Sequence, residues 1–173
     1  MSLGIITDPR VAQWVIDRCP DDDLTTVQEI GPYMAFGVHD EHGTPLAGIV
    51  YNWYRPMKFG ADFRVIIAAD SPRWCRPGIL RELFAYPFET CGCSRLTAVI
   101  RDGNEKSIRL CKGLGFRQEG VLRRGYNGRT NALLFGLLKN ECKWLKRPPQ
   151  PGSGNDIQLI VRSIGERPAA SLH

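Results

Sequence analysis

A helix-periodic stretch set between two strand-like ones constrains this chain most. Residues 62–69 (Asp-Phe-Arg-Val-Ile-Ile-Ala-Ala) and 95–100 (Arg-Leu-Thr-Ala-Val-Ile) are short, apolar and rich in β-branched side chains. Between them, residues 74–89 place Ile79, Leu80, Leu83, Phe84 and Phe88 at helical spacing, interrupted late by Pro87. Strand, helix and strand in that order form a crossover that leaves the two strands parallel. Ligands in such sheets bind at the carboxyl ends of the parallel strands, beside a helix N-terminus. Residues 69–79 are therefore the place to look for a site.

The flanking segments turn differently. Residues 33–39 and 46–54 read as two strands joined by the turn-rich Asp40-Glu41-His42-Gly43-Thr44-Pro45, and with residues 62–69 they predict an antiparallel meander. Asp8-Pro9, followed by Val11, Trp14, Val15 and Arg18, predicts an N-capped helix running to about Cys19. After the crossover, residues 104–113 are helical, and residues 115–122 and 130–138 are extended. The expectation is an α/β (α+β) domain with a mixed, mostly antiparallel central sheet flanked by helices.

Composition excludes several classes. At 43 % hydrophobic and 24 % charged, the chain has the make-up of a folded protein and not of a disordered one. Its longest apolar runs, residues 65–69 and 132–138, are far shorter than the roughly 20 residues of a membrane span. No secretory signal is visible at the start, so a cytoplasmic location and reduced thiols are expected for Cys19, Cys75, Cys91, Cys93, Cys111 and Cys142. None of the three histidines lies at zinc-ligand spacing from Cys91 and Cys93, and no metal is expected.

The net charge of +5 has a pattern, because basic residues gather at Arg73 and Arg76, at residues 106–112 and at residues 117–129. That distribution suits a phosphate-bearing ligand. The turn Arg73-Trp74-Cys75-Arg76-Pro77-Gly78-Ile79 enters a helix, where free N–H groups and the helix dipole favour an anion, glycine permits close approach, and arginines add charge-assisted bonds. Its plain alternative is an ordinary helix start with proline in the first turn. Further on, Asn104, Ser107 and Cys111 share one helix face and could bond the amides of an extended ligand. Taken singly, Asn104 reads as an N-cap and Cys111 as a packed side chain.

The run Asn104-x-x-Ser107-x-x-Leu110-x-x-x-Leu114-Gly115-Phe116-x-x-Glu119-Gly120-x-x-Arg123, after the strand at 95–100 and before residues 128–144, resembles the second half of a GNAT-family N-acetyltransferase. It is most similar to the subgroup acting on ribosomal-protein N-termini and to phage-encoded members. The resemblance covers about eighty residues. It implies acetyl-CoA held between two splayed parallel strands, against Ile67, Ala68 and Ala69, with the pyrophosphate at Arg73, Arg76, Gly78 and Ile79. Arg73 and Gly78 match the family's phosphate loop, and Arg76 stands where that loop has its first glycine. Asn104, Ser107 and Arg109 would position the cofactor. Cys111 occupies the place of a tyrosine that protonates the leaving thiolate, while Glu119, Asp70 and Tyr126 are the candidates for removing the amine's proton.

The implied reaction is direct acetyl transfer to a primary amine, either a protein N-terminus or a small amine. Two alternatives use the same scaffold. One is a nucleobase-modifying enzyme with Arg117, Arg123, Arg124, Arg129 and Tyr126 along nucleic acid; the other is a non-catalytic CoA-binding module. The catalytic domain is expected to span residues 1–146. A Pro/Gly linker at 147–156 then leads to a strand-like segment and tail at 157–173, apolar enough to exchange between the subunits of a homodimer.

Overall fold

Alternation and crossover both govern the computed structural model, which describes residues 2–19 and 26–146. In chain order the strands are β1 (Leu3–Thr7), β2 (Tyr33–Asp40), β3 (Pro45–Met57), β4 (Gly60–Ala69), β5 (Arg95–Arg101), β6 (Arg117–Tyr126) and β7 (Thr130–Leu138). The helices are α1 (Pro9–Ile16), α2 (Pro77–Ala85) and α3 (Glu105–Leu114). The strands form one seven-stranded sheet in the order β1-β2-β3-β4-β5-β7-β6. Neighbours run antiparallel except β4 and β5, which are parallel because α2 carries the chain across the sheet between them.

Period-two alternation sends side chains to two cores. One face of the sheet, with Phe36, Ile49, Tyr51, Phe63, Val65, Leu96, Ala98 and Phe135, packs on Leu80, Leu83 and Phe84 of α2 and on Ile108, Cys111 and Leu114 of α3. The opposite face, with Ala35, Val50, Ile66 and Ala68, packs on Ala12, Val15 and Ile16 of α1. This helix lies close because Gly48 has no side chain: a Cβ there would sit 2.5 Å from Val15 Cγ2. Asp8 caps α1 as the sequence suggests, its Oδ1 accepting the Arg10 N–H at 2.8 Å.

The structure departs from the expected elements in two places. A strand, β1, occupies residues to which no element was given, and it pairs along β2 through Leu3–Asp40 to Thr7–Phe36. Helix α1 ends at Ile16 and not near Cys19. Helix α2 begins at Pro77, as the proline in the expected first turn suggests, because a proline disfavours the helical region for the residue before it; Arg76 is extended at φ −95°, ψ 142°. Residues 72–74 form a separate 3-10 turn, and Pro87 is accommodated in a wider helical turn, Tyr86–Thr90. Among the described residues no helix is long and apolar enough to cross a membrane, and all six cysteines are free. The expected linker and strand at 147–173 lie outside the described residues.

Candidate functional site

The parallel strands part company almost as soon as they meet. β4 and β5 share three residue pairs, Asp62–Arg95, Phe63–Leu96 and Arg64–Thr97. Beyond them β4 stays paired with β3 as far as Ala69, and β5 stays paired with β7 as far as Arg101. Each strand is held by its outer neighbour while the inner edges separate, so alternate peptide groups of both strands face a gap. Ala68, Ala69 and Ala98 line it and are too small to fill it, leaving a cavity of about 370 Å³.

One wall of the gap is α3. Its start is fixed by Asn104, whose Oδ1 accepts the Ser107 N–H at 3.2 Å. Its end is fixed by Gly115 at φ +108°, with the Phe116 N–H donating to the Cys111 carbonyl at 3.1 Å. The Leu-Gly-Phe of the motif is thus a helix stop, and Asn104, Ser107, Leu110, Cys111 and Leu114 line the cavity along one helix face. Tyr126, half-buried at the end of β6, lines it as well, as do Ile67, Ala68 and Ala69.

The other candidate residues lie elsewhere. Arg73 lies within the 3-10 turn beyond the end of β4 and Arg76 just after it, both outside the cavity lining; an Arg73 Nη2 lies 3.7 Å from an Asp40 carboxylate oxygen. Arg76 is the N-cap position of α2 but makes no side-chain cap, and no acidic residue occupies the first turn. The first intrahelical bond runs from the Leu80 N–H to the Arg76 carbonyl at 2.9 Å, so the N–H groups of Gly78 and Ile79 precede it. An uncapped helix start beside two arginines is suited to a phosphate. Arg109 is exposed on α3 two positions beyond Ser107, outside the lining. Glu119 is the extra residue of a bulge in β6; its carboxylate lies 2.7 Å from Arg95, which also reaches Asp62 at 3.5 Å, and it too is outside the lining.

Two lining groups have their protonation set by what surrounds them. The Asp70 carboxyl is held below its ordinary value chiefly by Arg18, which donates to both oxygens at 2.9 and 2.8 Å while stacking over Trp14. It is an ion-pair partner, and a poor base for that reason. Cys111 is 6 % exposed, and burial pushes its thiol up to about 12. It stays protonated at neutral pH, and handing its proton to an ordinary thiolate is uphill by roughly 5 kcal/mol. Iodoacetamide at pH 8 is expected to label Cys111 in the native protein at least about a hundredfold more slowly than an unperturbed thiol, as followed by peptide mass spectrometry.

The sequence reading did not single out Arg64 or Arg101, which also line the cavity, as does Lys106 of the basic cluster at 106–112. For Arg64 and Arg101 the available signal was a lone charge inside or ending an apolar strand.

No protein-family model matches the chain, and no curated protein matches it in sequence. Solved structures do match in shape. A dodecameric spermidine N-acetyltransferase from Vibrio cholerae superposes with TM-score 0.60 at 16% identity, over 84% of this chain and 97% of that one. The chain has the GNAT fold. The same fold is seen in a ribosomal-protein-S5-alanine acetyltransferase from Vibrio fischeri, with TM-score 0.56 at 16% identity over 82% of this chain and 94% of that one. RimJ of Mycobacterium smegmatis, solved in complex with CoA-disulfide, aligns over 65% of this chain and 56% of its own, with TM-score 0.50 at 21% identity. In GNAT-fold terms, the splayed pair is β4 and β5, and the helix that follows the first of them is α2.

Proposed function

We propose that this chain transfers an acetyl group from acetyl-CoA to a primary amine, by direct attack with both substrates bound. The observation that carries the reading is the gap between β4 and β5, open along one helix face and lying near an uncapped helix start. The residues present fit such a cosubstrate. Arg73, Arg76 and the N–H groups of Gly78 and Ile79 receive the diphosphate, an anion that the helix dipole also favours. Asn104 and Ser107 hold the pantetheine amides, while the cleft-facing edge of residues 67–69 bonds the arm as a neighbouring strand would.

Acetyl-CoA supplies an activated acyl group; the protein's part is placement and proton handling. A backbone N–H at the end of β4 polarises the thioester carbonyl. The lone pair of a neutral amine then forms the C–N bond as the C–S bond breaks, the electron pair leaves on sulfur, and the nitrogen gives up one proton. Tyr126 lines the cavity with a hydroxyl that both donates and accepts, so it relays that proton; Cys111 contributes shape.

Titration calorimetry with acetyl-CoA on the purified chain, followed by mass spectrometry of an amine panel, tests the reading. Absence of binding to both acetyl-CoA and CoA would sink it. Tyr126→Phe is expected to lower kcat by about a hundredfold with acetyl-CoA affinity unchanged.

A further inference from the structure

Resting on the acetyl-transfer reading, we propose that Arg18 and Asp70 form a positioning pair, holding the end of β4 so that the Ala69 N–H stays aimed at the thioester carbonyl. Asp70, expected from the sequence as a candidate base, acts instead through the backbone it belongs to, and neither side chain handles a proton.

The end of β4 needs such a restraint. Pairing with β5 stops at Arg64–Thr97, so from Val65 onward β4 has a sheet neighbour on one side only, as far as Ala47–Ala69. One residue beyond, the Asp70 N–H donates to the Leu46 carbonyl of β3 at 3.0 Å. Successive peptide groups of a strand point to opposite sides, so the Ala69 N–H points away from β3 and into the gap. A strand end bonded along one edge opens more easily than one paired on both. The donor that the reaction requires therefore sits on the least supported stretch of the sheet.

Arg18 supplies the support from the other side. Its Nε donates to Asp70 Oδ1 at 2.9 Å and its Nη2 to Oδ2 at 2.8 Å, a planar two-pronged grip that sets the orientation of the carboxylate as well as its distance. The arginine is itself anchored: its guanidinium lies 3.6 Å from the centre of the Trp14 ring, and Nη1 donates to the Trp14 carbonyl at 3.3 Å. Helix α1 behind it is seated on the sheet by the buried Ala12, Val15 and Ile16. Asp70 also precedes the turn that carries the phosphate-binding arginines, where Ser71 Oγ accepts the Arg73 N–H at 3.3 Å. With side chains 34% and 50% exposed, the pair adds little to stability, and its directional grip is what it contributes.

The test reads the carbonyl stretching band of acetyl-CoA, isotopically labelled at its acetyl carbonyl, by infrared difference spectroscopy on the full chain at saturating ligand. In the parent the bound band is expected at lower frequency than that of the free thioester, because the carbonyl accepts a fixed hydrogen bond. Asp70→Asn and Arg18→Lys should each return the band toward its free position, the second because lysine keeps the charge and gives up the two-pronged grip. Affinity for CoA, which has no acetyl group, should change less than about threefold. At saturating acetyl-CoA, kcat with the fastest amine of the panel should fall at least about tenfold. The double variant should move the band no further than either single one, since both changes break the same contact. Should one variant fail to fold, the other carries the comparison; if neither folds, the pair is a structural brace and the inference fails. A band unshifted in the parent, or one that stays shifted in the variants while their unfolding midpoint drops, overturns the inference and leaves the transferase reading standing. Failure of the parent to bind acetyl-CoA and CoA removes both.

Discussion

Replacing Arg73 and Arg76 together by alanine weakens acetyl-CoA binding by about a hundredfold, with the thermal midpoint close to that of the parent chain. Charge-assisted bonds to phosphate oxygens contribute about 1.5–3 kcal/mol each, and two of them amount to at least that loss in affinity. Stability hardly changes because the pair between Arg73 and Asp40, at 3.7 Å with the arginine 42% exposed, is a solvent-screened contact. Asp40 keeps other partners, accepting the His42 and Thr44 N–H groups at 3.0 Å. Parallel titration calorimetry on the two proteins checks this. Equal affinities would move the diphosphate away from the start of α2.

Trp74→Ala is the most damaging single change expected in this part of the chain. Trp74 stands between those two arginines but is itself 2% exposed, with its indole in the main core. Truncating a buried tryptophan costs about 3–5 kcal/mol, a large share of a domain's total stability. Denaturant unfolding of the variant should show it directly. Trp53 provides the control: at 60% exposure it lies over the Arg64 guanidinium, and Trp53→Ala should cost less than about 1 kcal/mol. Under conditions where the Trp74→Ala protein remains folded, acetyl-CoA should still bind more weakly, since the indole anchors the turn that presents Arg73 and Arg76.

Much of this architecture can be read from patterns that local chemistry imposes. Alternation located β2, β3, β4, β5 and β7, and helical spacing located α2 and α3, because each of these elements buries a face and must repeat with its own period. The five residues of β1 escaped notice for a physical reason. Strand β1 is a short edge strand, and only its pairing with β2 brings the partly buried Leu3 and Ile5 against the core. The start of α2 was legible from Pro77, which suits a first helical turn and holds the residue before it extended. The site was legible in part. Asn104, Ser107 and Cys111 lie along the cavity wall, as expected of a shared helix face. Glu119 points elsewhere because a bulge interrupts the alternation of β6, and nothing in Arg117-Gln118-Glu119-Gly120 announces a bulge. Arg64 and Arg101 went unnoticed because their facing follows from alternation, but the space they face exists only once β4 and β5 have separated.

That separation also divides the sheet by sequence. β1 to β4 come from one continuous run of chain and β5 to β7 from another, and the two runs are stitched edge to edge by three residue pairs. Each half therefore forms from contacts near in sequence, which close at low entropic cost, and the union of the halves relies on α2 and the shared core beneath it. The molecule is put together like two hairpin-built leaves on a common spine, with the seam between them unfastened for most of its length.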